Sequence, residues 1–442
     1  MLGFVPSSVG WLSGSKAKST CSPSQRTLLA RPLKFGPGQN ARSIGEGYPR
    51  STLMSVKNVP QVTPDWEHGE HVGGYSDYID VRAPCEFEED HIPGAINLPV
   101  LNDEERVAVG TLYKANPFEA RRLGAGLVAK NLHRILDTHF ADKGKDYHPL
   151  VYCWRGGQRS GSLSRVLAEI GYRTSVLQGG YKTYRNDVME NLKTDASKFT
   201  FNVVSGPTGS CKTRLLHRMH AKGLQVLDLE EIAQHRGSVL GELGEQPSQK
   251  WFESLIAARL RKFNPAKVVW VEAESNNIGK RCMPQGVMDQ MQRGVRFHIH
   301  MPLHQRVKGL LEDYHHLGVD TDMLRGMMKK LARFHSKAQV AEWAEMIDRH
   351  DGAALVESLL LNHYDPTYQR SHQKLSSKHA PGRVNVEVSG VSGAELDAAI
   401  EFCLSAPLPE PSDAGVSEQS DDAEPDGKEG KSRAGSAQGR GE

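Results

Sequence analysis

Val151-Tyr152-Cys153-Trp154-Arg155-Gly156-Gly157-Gln158-Arg159-Ser160 joins a buried strand to a helix through a polar loop with two adjacent glycines. Residues 150–152 are apolar and read as a strand end. Residues 162–170 put Leu163, Val166, Leu167 and Ile170 on one helical face. Cys153 therefore falls where a strand feeds a helix N-terminus. Loop amides and the helix dipole both favour an anion there. Arg155 and Arg159 add positive charge, and such surroundings lower a thiol pKa. Most unpaired cysteines are inert packing residues, a reading that suits Cys282 and Cys403. It suits Cys153 poorly, because Gly156 and Gly157 remove side chains where an anion would sit. Cys153, Arg155 and Arg159 are thus the candidate catalytic residues, on a loop formed by Gly156 and Gly157.

The flanking sequence supplies the sheet around this loop. Residues 78–82 read as a short strand ending in charge. Pro93-Gly94 signals a turn before a second strand at 95–98. Beyond the loop, residues 174–177 form a strand ending in Gly179-Gly180-Tyr181. Strands separated by helical stretches imply a parallel sheet. Ligands lie at the C-terminal ends of such strands, where Cys153 falls. Residues 62–195 are read as one α/β domain.

A second α/β domain is read over residues 199–404. Residues 199–204 alternate as a strand, and Gly206-Pro207-Thr208-Gly209-Ser210-Cys211-Lys212-Thr213 follows. This is nearly the phosphate-cradling G-x-x-x-x-G-K-[ST] pattern. Cys211 stands where the second glycine belongs, and a side chain there would crowd the phosphates or strain the loop. Lys212 and Thr213 remain, which argues for phosphate binding and against tight nucleotide binding and hydrolysis. Residues 267–275 read as a buried strand ending in acids. Glu272 or Glu274 could hold magnesium or orient a group near the phosphate; a solvated strand end is an equal reading. Asp228-Leu229-Glu230 ends another apolar strand at 224–227, and polar clusters after strands commonly lie on functional loops. The candidate phosphate- or substrate-binding residues are Gly206, Gly209, Ser210, Lys212, Thr213, Asp228 and Glu272. No residue is assigned as a metal ligand, and no tightly bound cofactor is expected. Residues 323–337 read as a helix with Arg325, Lys329, Arg333 and Lys337 in a stripe. Such a stripe could track a nucleic-acid backbone, but taken alone it reads better as a solvated face.

Composition narrows the classes. The 442 residues suggest two or three domains, and a net charge of +2 points to no partner by itself. The six cysteines are scattered without a CxxC pair, which argues against a zinc site or a disulfide framework and for a reducing compartment. No apolar run is long enough to span a membrane. Residues 1–60 are read as an extension outside the fold. Residues 1–55 hold seven Lys or Arg and one acid, Glu46, with frequent serine. That is the composition of a chloroplast or mitochondrial transit peptide; an untargeted disordered extension on a cytoplasmic protein is the rival reading. Residues 405–442 are Gly, Ser, Pro, Asp and Glu without an aromatic, and a disordered tail is expected.

Several motifs together carry a resemblance. Asp80-Val81-Arg82, Glu86-Phe87, His91-Ile92-Pro93-Gly94-Ala95, Asn97-Leu98-Pro99, the Cys153 loop and Gly179-Gly180-Tyr181 resemble a rhodanese domain, which forms a cysteine persulfide. The loop also spells Cys-x5-Arg, the phosphatase spacing, a minor alternative beside these flanking signatures. A rhodanese domain followed by a P-loop NTPase-like domain resembles the tRNA 2-selenouridine synthase family. The match includes Tyr113-Lys114, Pro117-Phe118, His235-Arg236-Gly237-Ser238, Gln246-Pro247-Ser248-Gln249, Trp270-Val271-Glu272 and Tyr364-Asp365-Pro366-Thr367-Tyr368. The resemblance implies a transferase acting on wobble 2-thiouridine of tRNA, with selenophosphate as selenium donor and S-geranylation by geranyl diphosphate on the way. It implies that Cys153 is the catalytic thiol and residues 206–213 the phosphate-binding loop. A phosphate cradle could hold a prenyl diphosphate as readily as a nucleotide, which is one way to accommodate Cys211. The rivals are a sulfurtransferase of rhodanese type, or a thiol-sensing binding protein, neither acting on tRNA.

Overall fold

Two parallel sheets follow from short apolar runs that are buried on both faces. A computed structural model describes residues 59–62, 74–236, 244–313, 321–376 and 382–408. The first sheet contains β1 (Gln61–Val62), β2 (Asp77–Asp80), β3 (Ile96–Asn97), β4 (Pro149–Tyr152) and β5 (Ser175–Leu177). Their order is β1-β5-β4-β2-β3, all parallel. Leu150, Val151 and Tyr152 of the central β4 are fully buried.

The second sheet contains β6 (Phe201–Ser205), β7 (Gln225–Leu227) and β8 (Val269–Glu272). A small antiparallel pair follows, β9 (Asn277–Ile278) and β10 (Arg281–Cys282). The main sheet is completed by β11 (Val295–His300) and β12 (Arg383–Glu387). Its order is β12-β11-β6-β8-β7, all parallel. The chain runs from β6 to one side of the sheet and later returns to fill the other. The crevice beyond the C-terminal end of β6 is therefore a topological switch point, where ligands bind in such sheets. Residues 206–213 begin there.

The domains share a core. The helix Tyr181–Thr194 buries Tyr181, Tyr184, Val188 and Leu192, spaced to form one face. These residues join Phe201, Val203, Phe252, Ile256, Val287 and Met291 in a single apolar cluster. Ion pairs of Arg185 with Glu253 and of Arg261 with Asp187 flank the joint. The His91 ring is stacked between Phe87 (3.7 Å) and Trp251 (4.0 Å).

One expectation fails. The helix read over 323–337 ends at Leu331, in the element Thr321–Leu331, and a 3₁₀ turn Ala332–Phe334 follows. His335 is extended, and the Ser336 hydroxyl accepts from the Gln339 amide to cap a new helix, Lys337–Asp348. The basic stripe is broken accordingly. Arg325 pairs with Asp348, and Arg333 lies 4.6 Å over the Phe334 ring. The extension over 1–60 and the tail over 405–442 fall almost wholly outside the described residues, as do Gly237 and Ser238. Among the described residues no helix is long and apolar enough to cross a membrane.

Candidate active site: a thiolate loop and a phosphate loop

Cys153 directly follows β4 and is 4% exposed. Its sulfur accepts from the Gly157 amide at 3.3 Å and lies 3.2 Å from the Ser160 hydroxyl. Burial alone raises the thiol pKa. The Ser160 hydroxyl and the amides of Ser160, Arg155 and Gly157 outweigh it, and the pKa falls below that of an ordinary cysteine. The Ser160 proton has a second acceptor within reach, the Gly157 carbonyl at 3.2 Å. A sulfur anion competes better for that proton, so the hydroxyl favours the ionised form. A side-chain carbon on Gly157 would meet nothing within 4 Å, so the loop is open on that side.

The turn after β5 holds the loop from behind. The Tyr181 amide donates to the Cys153 carbonyl at 2.8 Å, and the Lys182 amide to the Trp154 carbonyl at 3.1 Å. Gly156 and Gly180 both have positive φ, and the backbones approach so closely that a Cβ on Gly156 would lie 2.8 Å from the Leu177 carbonyl. Beneath them Arg82, 1% exposed, pairs with fully buried Asp80 at 2.6 Å and lies 4.0 Å over the Tyr181 ring. Tyr181 in turn donates to Asp90 at 2.7 Å.

The two arginines serve differently. Arg155 contributes its amide to the sulfur, while its side chain is exposed. Arg159 points to Glu86 at 2.6 Å, and Arg106 meets the same carboxylate at 3.1 Å. Arg159 thus anchors the helix Pro84–Glu89 beside the loop and makes no direct contact with the sulfur.

The phosphate loop lies at the end of β6. Lys212 Nζ is 3.2 Å from the Pro207 carbonyl and 3.4 Å from Glu272. The Thr213 hydroxyl is 3.0 Å from Glu272 and 3.2 Å from Glu230. Ser210 is buried, its hydroxyl donating to the Pro207 carbonyl at 2.8 Å. Arg306, 5% exposed, donates to the Thr208 carbonyl at 2.8 Å while gripping Asp365 through two nitrogens. Gly206, Gly209, Lys212, Thr213 and Glu272 line one cleft of about 610 Å³. Its far wall is His363, Tyr364, Thr367 and Tyr368. Asp228 does not join them. Its carboxylate caps the helix Leu229–Ala233 by accepting from the Glu231 amide, and it meets His217 at 2.7 Å.

Cys211 adopts the left-handed conformation that glycine usually takes (φ 59°, ψ 25°). That strain costs about 1–2 kcal/mol. The sulfur turns towards Gly309, where an added Cβ would lie 3.3 Å from it, and packs in an apolar cluster with Leu215 and Val391. Burial pushes this thiol pKa up. The loop is therefore strained, and Cys211 borders the cleft while its sulfur packs against Gly309 and the apolar cluster.

Three carboxylates, Glu230, Glu272 and Glu274, place oxygens within 4.8 Å of one another. Burial and the neighbouring Glu272 raise Glu230 and Glu274 to about 8. With the Thr213 hydroxyl they form an all-oxygen donor set that suits magnesium. Sequence pattern alone does not assign Glu230 and Ser160 to the site. The signal for Glu230 was its position two residues beyond Asp228 at a strand end; Ser160 lies in the first turn of the helix after the cysteine.

The segment after residue 244 links the two loops. Ser248 donates to the Glu89 carbonyl and Lys250 pairs with the Glu89 carboxylate at 2.7 Å, on the helix that Arg159 anchors. Gln246 donates to the Ala233 carbonyl at 3.0 Å, at the end of the helix Leu229–Ala233 that carries Glu230.

Fold and site define a two-domain α/β protein in which a strand-end cysteine loop is fused to a P-loop. The profile of the rhodanese-like domain matches residues 67–187, and that of the tRNA 2-selenouridine synthase AAA domain matches residues 199–347. The tRNA 2-selenouridine synthase of Shewanella loihica is 33% identical over 350 residues, covering 72% of this chain and 92% of that protein. The one from Nitrosomonas europaea is 38% identical over 243 residues, covering 53% of this chain and 63% of that protein. The chain belongs to the tRNA 2-selenouridine synthase family.

Proposed function

We propose that this protein converts wobble 2-thiouridine of tRNA into 2-selenouridine, taking selenium from selenophosphate after S-geranylation by geranyl diphosphate. One observation supports the reading: a single compact unit holds both a cysteine whose thiol pKa is drawn down, at the end of β4, and a P-loop-like cleft at the end of β6. The thiouridine sulfur attacks C1 of the geranyl group, the C–O bond breaks, and diphosphate leaves with the electron pair. Lys212 and the loop amides meet the charge that builds on that leaving group. Thr213, Glu272 and Glu230 would hold magnesium, which neutralises diphosphate oxygens when bound. Alkylated sulfur is then a competent leaving group. The Cys153 sulfur adds at C2 and expels geranyl thiolate, the selenium of selenophosphate displaces Cys153 from C2, and water cleaves the Se–P bond to leave 2-selenouridine and phosphate.

The test is mass spectrometry of tRNA nucleosides from selenium-fed cells with and without the gene. Loss of 2-selenouridine with a rise in 2-thiouridine is expected. Identical nucleosides in both strains would overturn the reading and favour a sulfurtransferase that never meets tRNA.

A further inference from the structure

The helices Asp103–Ala115 and Pro117–Thr138 form a hairpin inserted between β3 and β4. The first of them buries none of its 13 residues and packs on the second, with Val109 against Gly124. At ~1.5 Å per residue it extends for about 20 Å. Its base sits at the rim of the thiolate loop, since Arg106 shares Glu86 with Arg159.

The tip carries two aromatic rings that the fold does not use. Phe118 is 71% exposed and Tyr113 46% exposed. Arg121 lies 5.8 Å over the Tyr113 ring and donates to its hydroxyl at 3.3 Å. Residues 113–123 hold Lys114, Arg121 and Arg122 against the single acid Glu119, and Glu119 is taken by Arg122 at 2.6 Å. The tip is thus net positive, with a cation over the Tyr113 ring. A protein-binding patch tends to lose charge at its centre. Exposed rings flanked by arginine and lysine match unpaired RNA, whose bases stack on aromatics while the phosphates meet cations.

We propose that this hairpin tip is an RNA-binding surface, on which an unstacked base lies against Phe118 or Tyr113 while Lys114 and Arg121 contact phosphates. The inference rests on the tRNA reading above and assigns it a docking element, which holds the substrate in register with Cys153.

The test titrates full-length protein with a tRNA transcript at several salt concentrations, and follows Cys153 alkylation by iodoacetamide in parallel. Tyr113→Ala with Phe118→Ala should weaken binding roughly tenfold per ring and leave the salt slope unchanged. Lys114→Ala with Arg121→Ala should lower the slope of log K against log salt by about 0.7 per cation. Phe118→Trp, which keeps a ring, should retain affinity. Alkylation and melting temperature should not move in any of these variants. Unchanged tRNA affinity in the alanine variants overturns the proposal, and an accompanying change in oligomeric state would assign the tip to a protein contact instead. Wild-type protein that binds no tRNA would sink the functional reading itself, a result distinct from variants that bind as wild type does.

Discussion

Cys153 and Cys211 lie in equivalent regions of two unrelated sheets. Each sits in a loop that leaves a central parallel strand and feeds a helix N-terminus. Their ionisation runs in opposite directions. The Cys153 sulfur faces its own loop amides and a serine hydroxyl, which draw its pKa down. The Cys211 sulfur, on a left-handed backbone at the edge of its cleft, rests against Gly309 and an apolar cluster, and burial pushes its pKa up. Topology puts a strand end and a helix N-terminus in both places. What each sulfur packs against decides whether its thiol pKa is lowered or raised.

The largest effects should separate the two loops. Cys153→Ser should reduce selenation to background while geranyl transfer to tRNA persists, as read by nucleoside mass spectrometry on purified protein. Lys212→Ala should do the reverse. Geranyl transfer should fall by about 10²–10³-fold, the usual cost of removing one donor to a developing charge. Selenation of tRNA that is already geranylated should proceed. If each substitution abolished both steps equally, the loops would not divide the chemistry between them.

Much of this contrast was legible in the sequence, because strand ends, glycine loops and the GK[ST] signature are local. Residues 150–152 and 199–204 were read as strands and form β4 and β6. Long-range pairing was not legible. Arg159 was read as charge for the thiolate, yet its partner Glu86 lies 73 residues away. Glu230 meets the P-loop only because β7 and β8 pack beside β6 in an order that local sequence does not encode. The strand β12 returns to β11 after a long helical excursion, which hid it from periodicity. The shared core across the domain joint is likewise invisible until the helix Tyr181–Thr194 is docked.

A smaller effect should sharpen the thiolate half. Ser160→Ala removes the side-chain hydrogen bond that favours the ionised sulfur. The Cys153 pKa should rise, because the ionised sulfur loses a donor. Alkylation by iodoacetamide, followed against pH, should show its inflection at higher pH, with a lower rate below it. An unmoved inflection would mean that the amides alone set the ionisation.

The phosphate half has its own pH signature. Glu230 and Glu274 are raised to about 8 in the folded protein, against roughly 4.3 in an unfolded chain. Between these values the folded state binds more protons than the unfolded one, so stability should fall as pH rises through that window. Magnesium should counter the loss. The melting temperature in EDTA should therefore drop between pH 5.5 and 8, recover with magnesium, and respond less in Glu230→Gln. A melting temperature indifferent to both would show that these acids do not share one buried site.

The smallest effect tests the contrast most directly. Cys211→Gly relieves about 1–2 kcal/mol of left-handed strain. It also gives the unfolded chain more freedom, at about 0.5–1 kcal/mol, and removes a buried thiol from the cluster beside Gly309. These terms nearly cancel, so melting should shift by a few degrees at most. Because the sulfur packs against Gly309 and the apolar cluster, the affinity for geranyl diphosphate should stay within about twofold, well under the tenfold that 1.4 kcal/mol would bring. A large gain in diphosphate or ATP affinity in Cys211→Gly would mean that the sulfur obstructs the phosphates after all. The two cysteines would then differ only in degree, each facing the anion its loop receives.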